Sequence, residues 1–381
     1  MMSQNNKNRV LVLGAYGLAG RTVVQGLLKK SELRIIISGR NKEKLQQIRD
    51  HANSPERLET AVFDALDTAR LKSASAEAGL VINCVGPYSM SGFEIARTVL
   101  ETSTHYIDFA NEQIHYSRLK ELAPFASRKN LMLLTACGWA PGFSTLLMKR
   151  AVEKVPSIHS LEMCYVQGRT PDDNSGMGSI MGAILEPGFG SVTLKNGELI
   201  QEKLGVDQKL VLMPEPFGET AMLGIPTIDT LLFADYPGLR DLRTYFAVGV
   251  QSPPGLFSLI GMLKAHKRKW AYRLLERIVS HIVRKSYADA VKKGFTPGGY
   301  IQITAKSRNM TLQNLIPFED GGTATSYLPV LAARRLFQNK IQKTGLLTVL
   351  ELFNLDTVLN ECRHLGWPIQ IEENITKNQN R

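Results

Sequence analysis

Three glycines spaced three residues apart, Gly14, Gly17 and Gly20, follow directly on the aliphatic run Arg9-Val-Leu-Val-Leu13 and open a stretch with helical spacing. A strand that turns into a helix through such a segment makes a site for an anion. The first glycine permits the tight turn, the second lets a pyrophosphate approach the backbone, and the third lets helix and strand pack closely. The helix N-terminus meanwhile presents unpaired N–H groups and a partial positive charge. Tyr16, Leu18 and Ala19 fall within the same turn and share its contacts. A ligand-free strand-to-helix turn is the plain alternative, and the alternation of strands and helices around the motif argues against it.

The second aliphatic run ends in Ser38-Gly39-Arg40-Asn41-Lys42. An acid at this place would bind the ribose hydroxyls of NAD, and none is present. Arg40, with Ser38 and Lys42, offers instead a planar cation and donors suited to the 2′-phosphate of NADP, the expected cofactor. The other reading of Arg40 is a solvated residue in the first turn of a helix. Asp64, followed by Ala65, ends the third run and is placed to accept from the adenine amino group. Cys84-Val85-Gly86-Pro87 ends the fourth, where the loop beyond such a strand runs beside the nicotinamide ribose, or is an ordinary Gly-Pro turn.

Hydride transfer asks for groups that orient a substrate and hold or release a proton. Tyr88, Asp108 and Cys137 follow strand ends and are the candidate catalytic residues, with His105 and Glu112 close by in sequence. Each has a structural alternative: Asp108 as a helix cap, His105 as a supporting residue, Cys137 as a small buried thiol. Arg169, with the turn around Ser175 to Ser179, could hold a carboxylate or simply be solvated. Tyr116 and Lys120 have the YxxxK spacing of short-chain dehydrogenases. The glycine turn is of a different type and no strand-end serine precedes them at a suitable distance, so this spacing is read as chance. The cysteines Cys84, Cys137, Cys164 and Cys362 stand far apart, without a CxxC pair or a histidine at ligand spacing. Neither a disulfide framework nor a metal site is expected, and a reducing compartment is.

The elements that must position these residues alternate as in βαβ units. Strands are predicted at 9–14, 33–38, 60–64, 80–85, 105–109 and 131–136, and helices at 21–30, 41–51, 93–102 and 113–129. The predicted class is α/β, with a doubly wound parallel Rossmann sheet and right-handed crossovers over 1–143. After Pro141-Gly142 the rhythm changes to glycine-rich strands and loops, predicting an inserted α+β, mainly antiparallel substrate and dimerisation domain over 144–322. Residues 323–381 are predicted as C-terminal helices returning to the first domain.

The chain has 381 residues, 44% of them hydrophobic, enough for two domains with cores of their own. Of a formal net charge of +11, the stretch 251–293 carries eight. No helix-turn-helix, finger or RNP signature accompanies this local basicity, so no nucleic-acid partner is expected. In the same stretch the apolar run Gly255–Leu263 precedes Lys264, Lys267, Arg268 and Lys269, then Trp270, Tyr272, Leu274 and Leu275. Segment 255–293 could make a weak peripheral membrane contact. It could equally form ordinary helices that close the second domain or a dimer contact, the preferred expectation. No apolar run approaches the roughly 18 to 20 residues of a membrane span. The polar start MMSQNNKNR leaves no room for a signal-peptide core before the first strand. A cytoplasmic homodimer acting on a small-molecule substrate is expected.

GAYGLAGRTV, SGRNKEKL, VINCVGPYSMSGFEIARTVLETSTHYIDFANE and ACGWAPGFSTLL resemble, in order, the blocks of the saccharopine dehydrogenase-like NADP-binding family. The likeness runs from Gly14 to Leu147 and returns more loosely in MPEPFGE and DGGTATSYLPVLAARRL. It departs at Asn111-Glu112, where the acid after the Y-x-D segment is displaced, and in the basic stretch 251–293. The resemblance implies a Rossmann domain, an inserted domain bearing the substrate cleft, and a C-terminal return. It also implies hydride transfer between nicotinamide and a C–N bond, or a carbonyl, of an amino-acid-like substrate. A non-catalytic sensor of NADP(H) built on the same turn is the alternative.

Overall fold

The computed structural model describes residues 8–170, 176–201, 207–248 and 268–377. Ser175 and the apolar run 255–263 with Lys264 and Lys267 lie outside the described residues. The N-terminal part alternates between β1 (Arg9–Leu13), α1 (Leu18–Lys30), β2 (Arg34–Gly39), α2 (Lys42–Asp50), β3 (Leu58–Val62) and α3 (Thr68–Ala76). It continues through β4 (Leu80–Asn83), α4 (Tyr88–Glu101), β5 (His105–Asp108), α5 (Gln113–Leu119), α6 (Ala123–Arg128) and β6 (Met132–Leu134).

Two differences from the sequence reading have local causes. α3 fills the crossover between the third and fourth strands and is not among the helices named above, because Leu71 and Ser75 are its buried residues, too few to print an apolar stripe; its start is capped by Asp67, which accepts from Arg70 N at 3.1 Å. The helix expected over 113–129 is two, because Pro124 in the first turn of α6 starts a helix and does not continue one.

The inserted part holds α7 (Phe143–Lys154), β7 (Ser160–Gln167), α8 (Met177–Leu185), β8 (Val192–Lys195), β9 (Glu198–Gln201), β10 (Gln208–Met213) and β11 (Gly218–Gly224). α9 (Ile228–Phe233), β12 (Asp241–Val248), α10 (Lys269–Lys292), β13 (Gly299–Lys306) and β14 (Met310–Phe318) complete it. The chain then returns through α11 (Gly321–Thr325), α12 (Tyr327–Phe337), β15 (Gly345–Leu347), α13 (Val349–Leu352) and α14 (Leu355–His364), and ends in β16 (Glu372–Lys377).

Two compact units result. The first comprises Met1–Ala110, His115–Phe143 and Gly322–Trp367, and the second Asn111–Ile114, Ser144–Gly321 and Pro368–Arg381. In the first unit seven parallel strands run in the order β15-β6-β5-β4-β1-β2-β3. The order reverses between β1 and β4, the switch point at which such sheets open a crevice at their carboxyl edge. Val10 to Leu13 and Leu80 to Asn83 are buried throughout, as central strands covered on both faces must be. The core on one side joins Leu11, Leu13, Val81, Ile95, Val99 and Tyr106. Trp139, Tyr327 and Trp367 form an aromatic ladder, with ring centroids 5.9 and 4.6 Å apart, that ties the C-terminal helices to this unit.

The second unit is built on a nine-stranded sheet, β10-β11-β12-β7-β13-β14-β16, with β8 and β9 attached at β12. Its pairs are antiparallel except β7 with β12, so the mainly antiparallel expectation holds with one parallel pair. α8 lies where glycines had suggested turns and strand; Met181, Ile184 and Leu185 bury one side of it against Ala271, Leu275 and Val279 of α10. The end of the chain corrects the predicted helical return over 323–381. Residues 372–377 pair with β14, register Leu315 to Glu372, and belong to the second unit. Glu-Glu-Asn-Ile-Thr-Lys is exposed along its length and held by backbone pairing, which leaves no apolar pattern to read.

Arg57 closes the C-terminal end of α1. Its guanidinium donates to Leu28 O at 3.0 Å in the last turn of the helix, and to Ser31 O at 2.7 Å and Leu33 O at 2.8 Å in the segment that follows. Arg57→Ala is expected to cost about 2–3 kcal/mol of stability, since several part-buried carbonyls lose a charged donor together, and Arg57→Lys about half of that. Urea unfolding followed by circular dichroism measures it, and an unchanged midpoint in Arg57→Ala would refute this role.

Candidate functional site

The turn between β1 and α1 is built by backbone crowding. Gly14 sits at φ +71°, and a Cβ there would stand 3.0 Å from Val85 Cγ2 and 3.2 Å from Cys84 O. A Cβ on Gly20 would collide with the Gly14 carbonyl oxygen. Gly17 N donates to Gly14 O at 2.9 Å, and Ala15 N to Ser38 O at 3.0 Å, which ties the turn to the end of β2. Gly17 is the N-cap of α1, with no side-chain cap and no acid in the first turn. A Cβ on Gly17 would meet only Gly14 O, at 3.2 Å, and otherwise point into open space. The first-turn N–H groups of α1 therefore front a space that a pyrophosphate would fill.

Tyr16 joins this turn to the end of β2. Its ring lies so close over Gly39 that any side chain there would collide, and its hydroxyl accepts from Arg40 N at 3.2 Å. Lys44 Nζ stands 5.6 Å from the ring centroid. The Arg40 side chain is 75% exposed, and its Nη1 lies 3.9 Å from Asp64 Oδ2. The two groups expected to hold the adenosine thus stand at ion-pair distance from each other on the exposed edge of the site. Asp64 also accepts from Leu66 N at 3.0 Å, while Ala65 packs on the core. Ser38 is buried and Lys42 exposed at the start of α2, so in this neighbourhood a 2′-phosphate would meet Arg40 first.

The loop after β4, Cys84-Val85-Gly86-Pro87, is held by Asn83. This fully buried amide donates to Tyr106 Oη at 2.9 Å and accepts from Val85 N at 3.0 Å. Its own carbonyl accepts from the Tyr88 hydroxyl at 3.0 Å. Burial pushes the Cys84 thiol up.

Asp108 sits at the end of β5 with no exposed surface. It accepts from Thr135 Oγ1 at 2.6 Å and Ala110 N at 3.1 Å, and lies 2.7 Å from His115 Nε2. The His115 ring stands 5.6 Å from that of Tyr88. Cys137 N donates to Asp108 O at 3.0 Å, and the buried Cys137 thiol is pushed up by burial and then by the Asp108 charge. Burial and the Asp108 charge likewise raise the Tyr106 hydroxyl. The structure therefore gathers Tyr88, Asp108 and Cys137 at the carboxyl ends of β4, β5 and β6. All three are buried, and the Tyr88 hydroxyl and the Asp108 carboxylate are each committed to a neighbour. His105 Nδ1 accepts from Met132 N at 2.9 Å, a structural role. Sequence reasoning missed Asn83, Thr135 and His115; an apolar strand ending in Asn, and a His seven residues after the strand-end Asp, were the available signals. Tyr116 and Lys120 meet as a ring and a cation 4.9 Å apart.

In the second unit Arg169 donates to Phe295 O at 2.9 Å and to Thr170 O at 3.1 Å, so its guanidinium serves the chain's own carbonyls. Glu112 and Glu186 are both buried there. Glu186 Oε1 accepts from Ile114 N at 3.1 Å, Glu112 Oε2 accepts from Asn111 N at 3.1 Å, and Glu186 Oε2 lacks a partner. Burial first, then the Glu112 charge, push the Glu186 carboxyl up to about 8, against the N–H groups of Ile114 and Gln113 that hold it down. Among the described residues no three His, Cys, Asp or Glu side chains come together as a metal site.

A carboxyl whose folded pKa lies above its ordinary value gives up stability as pH rises from the unfolded value to the folded one, because the unfolded chain releases its proton first. For Glu186 that window runs from 4.5 to about 8. Glu186→Gln should therefore be more stable than the wild type by about 2–4 kcal/mol at the top of the window, and the gain should vanish at its acid end. Urea midpoints of both proteins across this range test it; a difference independent of pH would contradict the buried-carboxyl assignment.

Residues 10–134 match the family model described as saccharopine dehydrogenase NADP binding domain. A lipid droplet localized protein of Caenorhabditis elegans is 25% identical over 139 residues, 34% of this chain and 33% of that protein. A saccharopine dehydrogenase-like oxidoreductase of Mus musculus is 29% identical over 126 residues, 29% of each. The matched region spans about a third of the length of these curated relatives. The apo saccharopine dehydrogenase (L-Glu forming) of Saccharomyces cerevisiae has the same fold, with a TM-score of 0.65 at 14% identity over 97% of this chain and 100% of that one.

Proposed function

We propose that this chain, whose residues 10–134 match the saccharopine dehydrogenase NADP binding domain, is an NADP(H)-dependent oxidoreductase. Its reaction would move a hydride between nicotinamide and a C–N or carbonyl centre of a small amino-acid-like substrate. One observation carries the reading: the uncapped N-terminus of α1 behind Gly17, with an exposed arginine at the end of the neighbouring strand. Gly14 and Gly20 would set the turn and Gly17 would leave the space for a pyrophosphate, with Tyr16, Leu18 and Ala19 around it. Arg40 would bind the 2′-phosphate and Asp64 the adenine amino group, while Cys84-Val85-Gly86-Pro87 would border the nicotinamide ribose. When bound, the cofactor supplies the hydride.

The C–N reading gains support from how the candidate proton donors are held. Tyr88 Oη and the Asp108 carboxylate are spent on buried hydrogen bonds, and the Cys137 thiol is pushed up. A protonated imine already carries its proton, so hydride delivery to it asks the protein for position more than for an acid. The same observation supports a second reading, a sensor that binds NADP(H) without turning it over. The four free cysteines suit a cytoplasmic setting.

Gly17→Val would push a branched side chain into the anion space while leaving the helix–strand packing at Gly20 intact. NADPH binding, read by calorimetry, should fall below detection with the melting temperature close to wild type. A folded Gly17→Val protein with wild-type affinity would sink the site.

Arg40→Ala separates the two dinucleotides. NADPH should bind about 1.5–3 kcal/mol more weakly and NADH nearly as before, because only the 2′-phosphate loses a charge-assisted partner. Equal losses for both would show that Arg40 does not read the phosphate. Absorbance at the reduced-nicotinamide band, followed across a panel of imines, amines, keto acids and aldehydes, distinguishes the enzyme from the sensor.

A further inference from the structure

Among the described residues, one side of α10 leaves charge and apolar bulk exposed. Ala271, Leu275 and Val279 turn toward α8, whereas Arg273, Arg277, Arg284, Lys285 and Lys292 are exposed. Trp270 is 59% and Leu274 44% exposed near the start of the helix, and Val291 is exposed near its end. At 100° per residue all eight fall within an arc of about 120°, running the roughly 36 Å length of a 24-residue helix. Glu276 and Asp289, the acids of this helix, lie outside the arc and are half-buried. The stripe is therefore cationic without an interspersed acid, and it places an indole and a leucine among its charges.

Solvation alone would explain the arginines and lysines, but an indole with 59% of its surface exposed is costly to leave in water. A bilayer surface of anionic phospholipid answers both features: headgroup phosphates complement the cations, and the headgroup boundary accommodates an indole with its N–H hydrated. A nucleic-acid backbone would answer the charge and make no comparable use of the adjacent Trp270 and Leu274. We propose that α10 docks on an anionic phospholipid bilayer, lying along the surface, with the five cations over headgroups and Trp270 and Leu274 entering the interface.

The test uses the full chain and vesicles of phosphatidylcholine alone or mixed with phosphatidylserine. Wild type should co-sediment with the mixed vesicles at low salt, leave them as salt rises, and remain in the supernatant with phosphatidylcholine alone. Arg277→Gln, Arg284→Gln and Lys285→Gln combined should lower the partition coefficient by about a hundredfold, each nearby cation contributing about 1 kcal/mol. The triple variant must keep the wild-type melting temperature, for these side chains face solvent. Trp270 fluorescence should shift to the blue on the mixed vesicles, a change lost in Trp270→Phe while Trp139 and Trp367 remain. Wild type left in the supernatant would overturn the proposal, as would equal sedimentation of the triple variant. A gel shift with duplex DNA that depends on the same three residues, without vesicle binding, would overturn it in favour of nucleic acid.

Discussion

Backbone against backbone at the start of α1 is the contact on which the first unit depends. Gly20 must pass the Gly14 carbonyl with no side chain between them, and Gly14 must pass Cys84 in the loop after β4. Together these contacts lock β1, α1 and β4 at the one place where the strand order reverses. The aim of α1 is fixed as a result, its uncapped end toward the turn and its carbonyl end closed by Arg57. Tyr16 extends the arrangement sideways by lying on Gly39 and taking the Arg40 amide, so the spacing from turn to arginine is set by a ring. A glycine at position 39 is thus a packing requirement, although its backbone is ordinary strand.

The carboxyl ends of β4, β5 and β6 obey a different constraint. Asn83, Tyr106, Asp108, His115 and Thr135 are polar and fully buried, and burial without partners would cost each of them dearly. They satisfy one another in a connected set, with His115 Nδ1 left over. Such a set makes a rigid floor and a poor source of protons, because moving a proton out of it leaves a buried charge without its partner. The floor holds the loop after β4 in place through Asn83, and through that loop it bears on the same turn that Gly14 touches.

Much of the first unit could be read from the chain because its central strands are buried on both faces and so appear as unbroken aliphatic runs. The glycine turn was legible for a related reason: Gly14 and Gly20 have no room for a Cβ, and glycine is the residue that signals it. What escaped were interactions between residues distant in sequence. Thr135 and His115 reach Asp108 only after β5 and β6 have paired, and neither residue type advertises burial. The parallel pairing of β7 with β12 escaped because two amphipathic strands look the same in either direction. β16 escaped because an exposed strand held by backbone hydrogen bonds needs no apolar pattern.

The departure from the family pattern at Asn111-Glu112 acquires a physical meaning in the second unit. Residues 111–114 are stitched into it at three points. Asn111 O accepts from Ile228 N, the buried Gln113 amide exchanges hydrogen bonds with Val192 and donates to Thr227 O, and Ile114 N meets Glu186. Glu112 fills the same pocket, close enough to α8 that a Cβ on Gly182 would strike its carboxylate. Burial raises the Glu186 carboxyl first, and the nearby Glu112 charge raises it further. The displaced acid therefore lies buried just before α5 and accepts from Asn111 N, while Glu186 serves Ile114 N in the first turn of that helix.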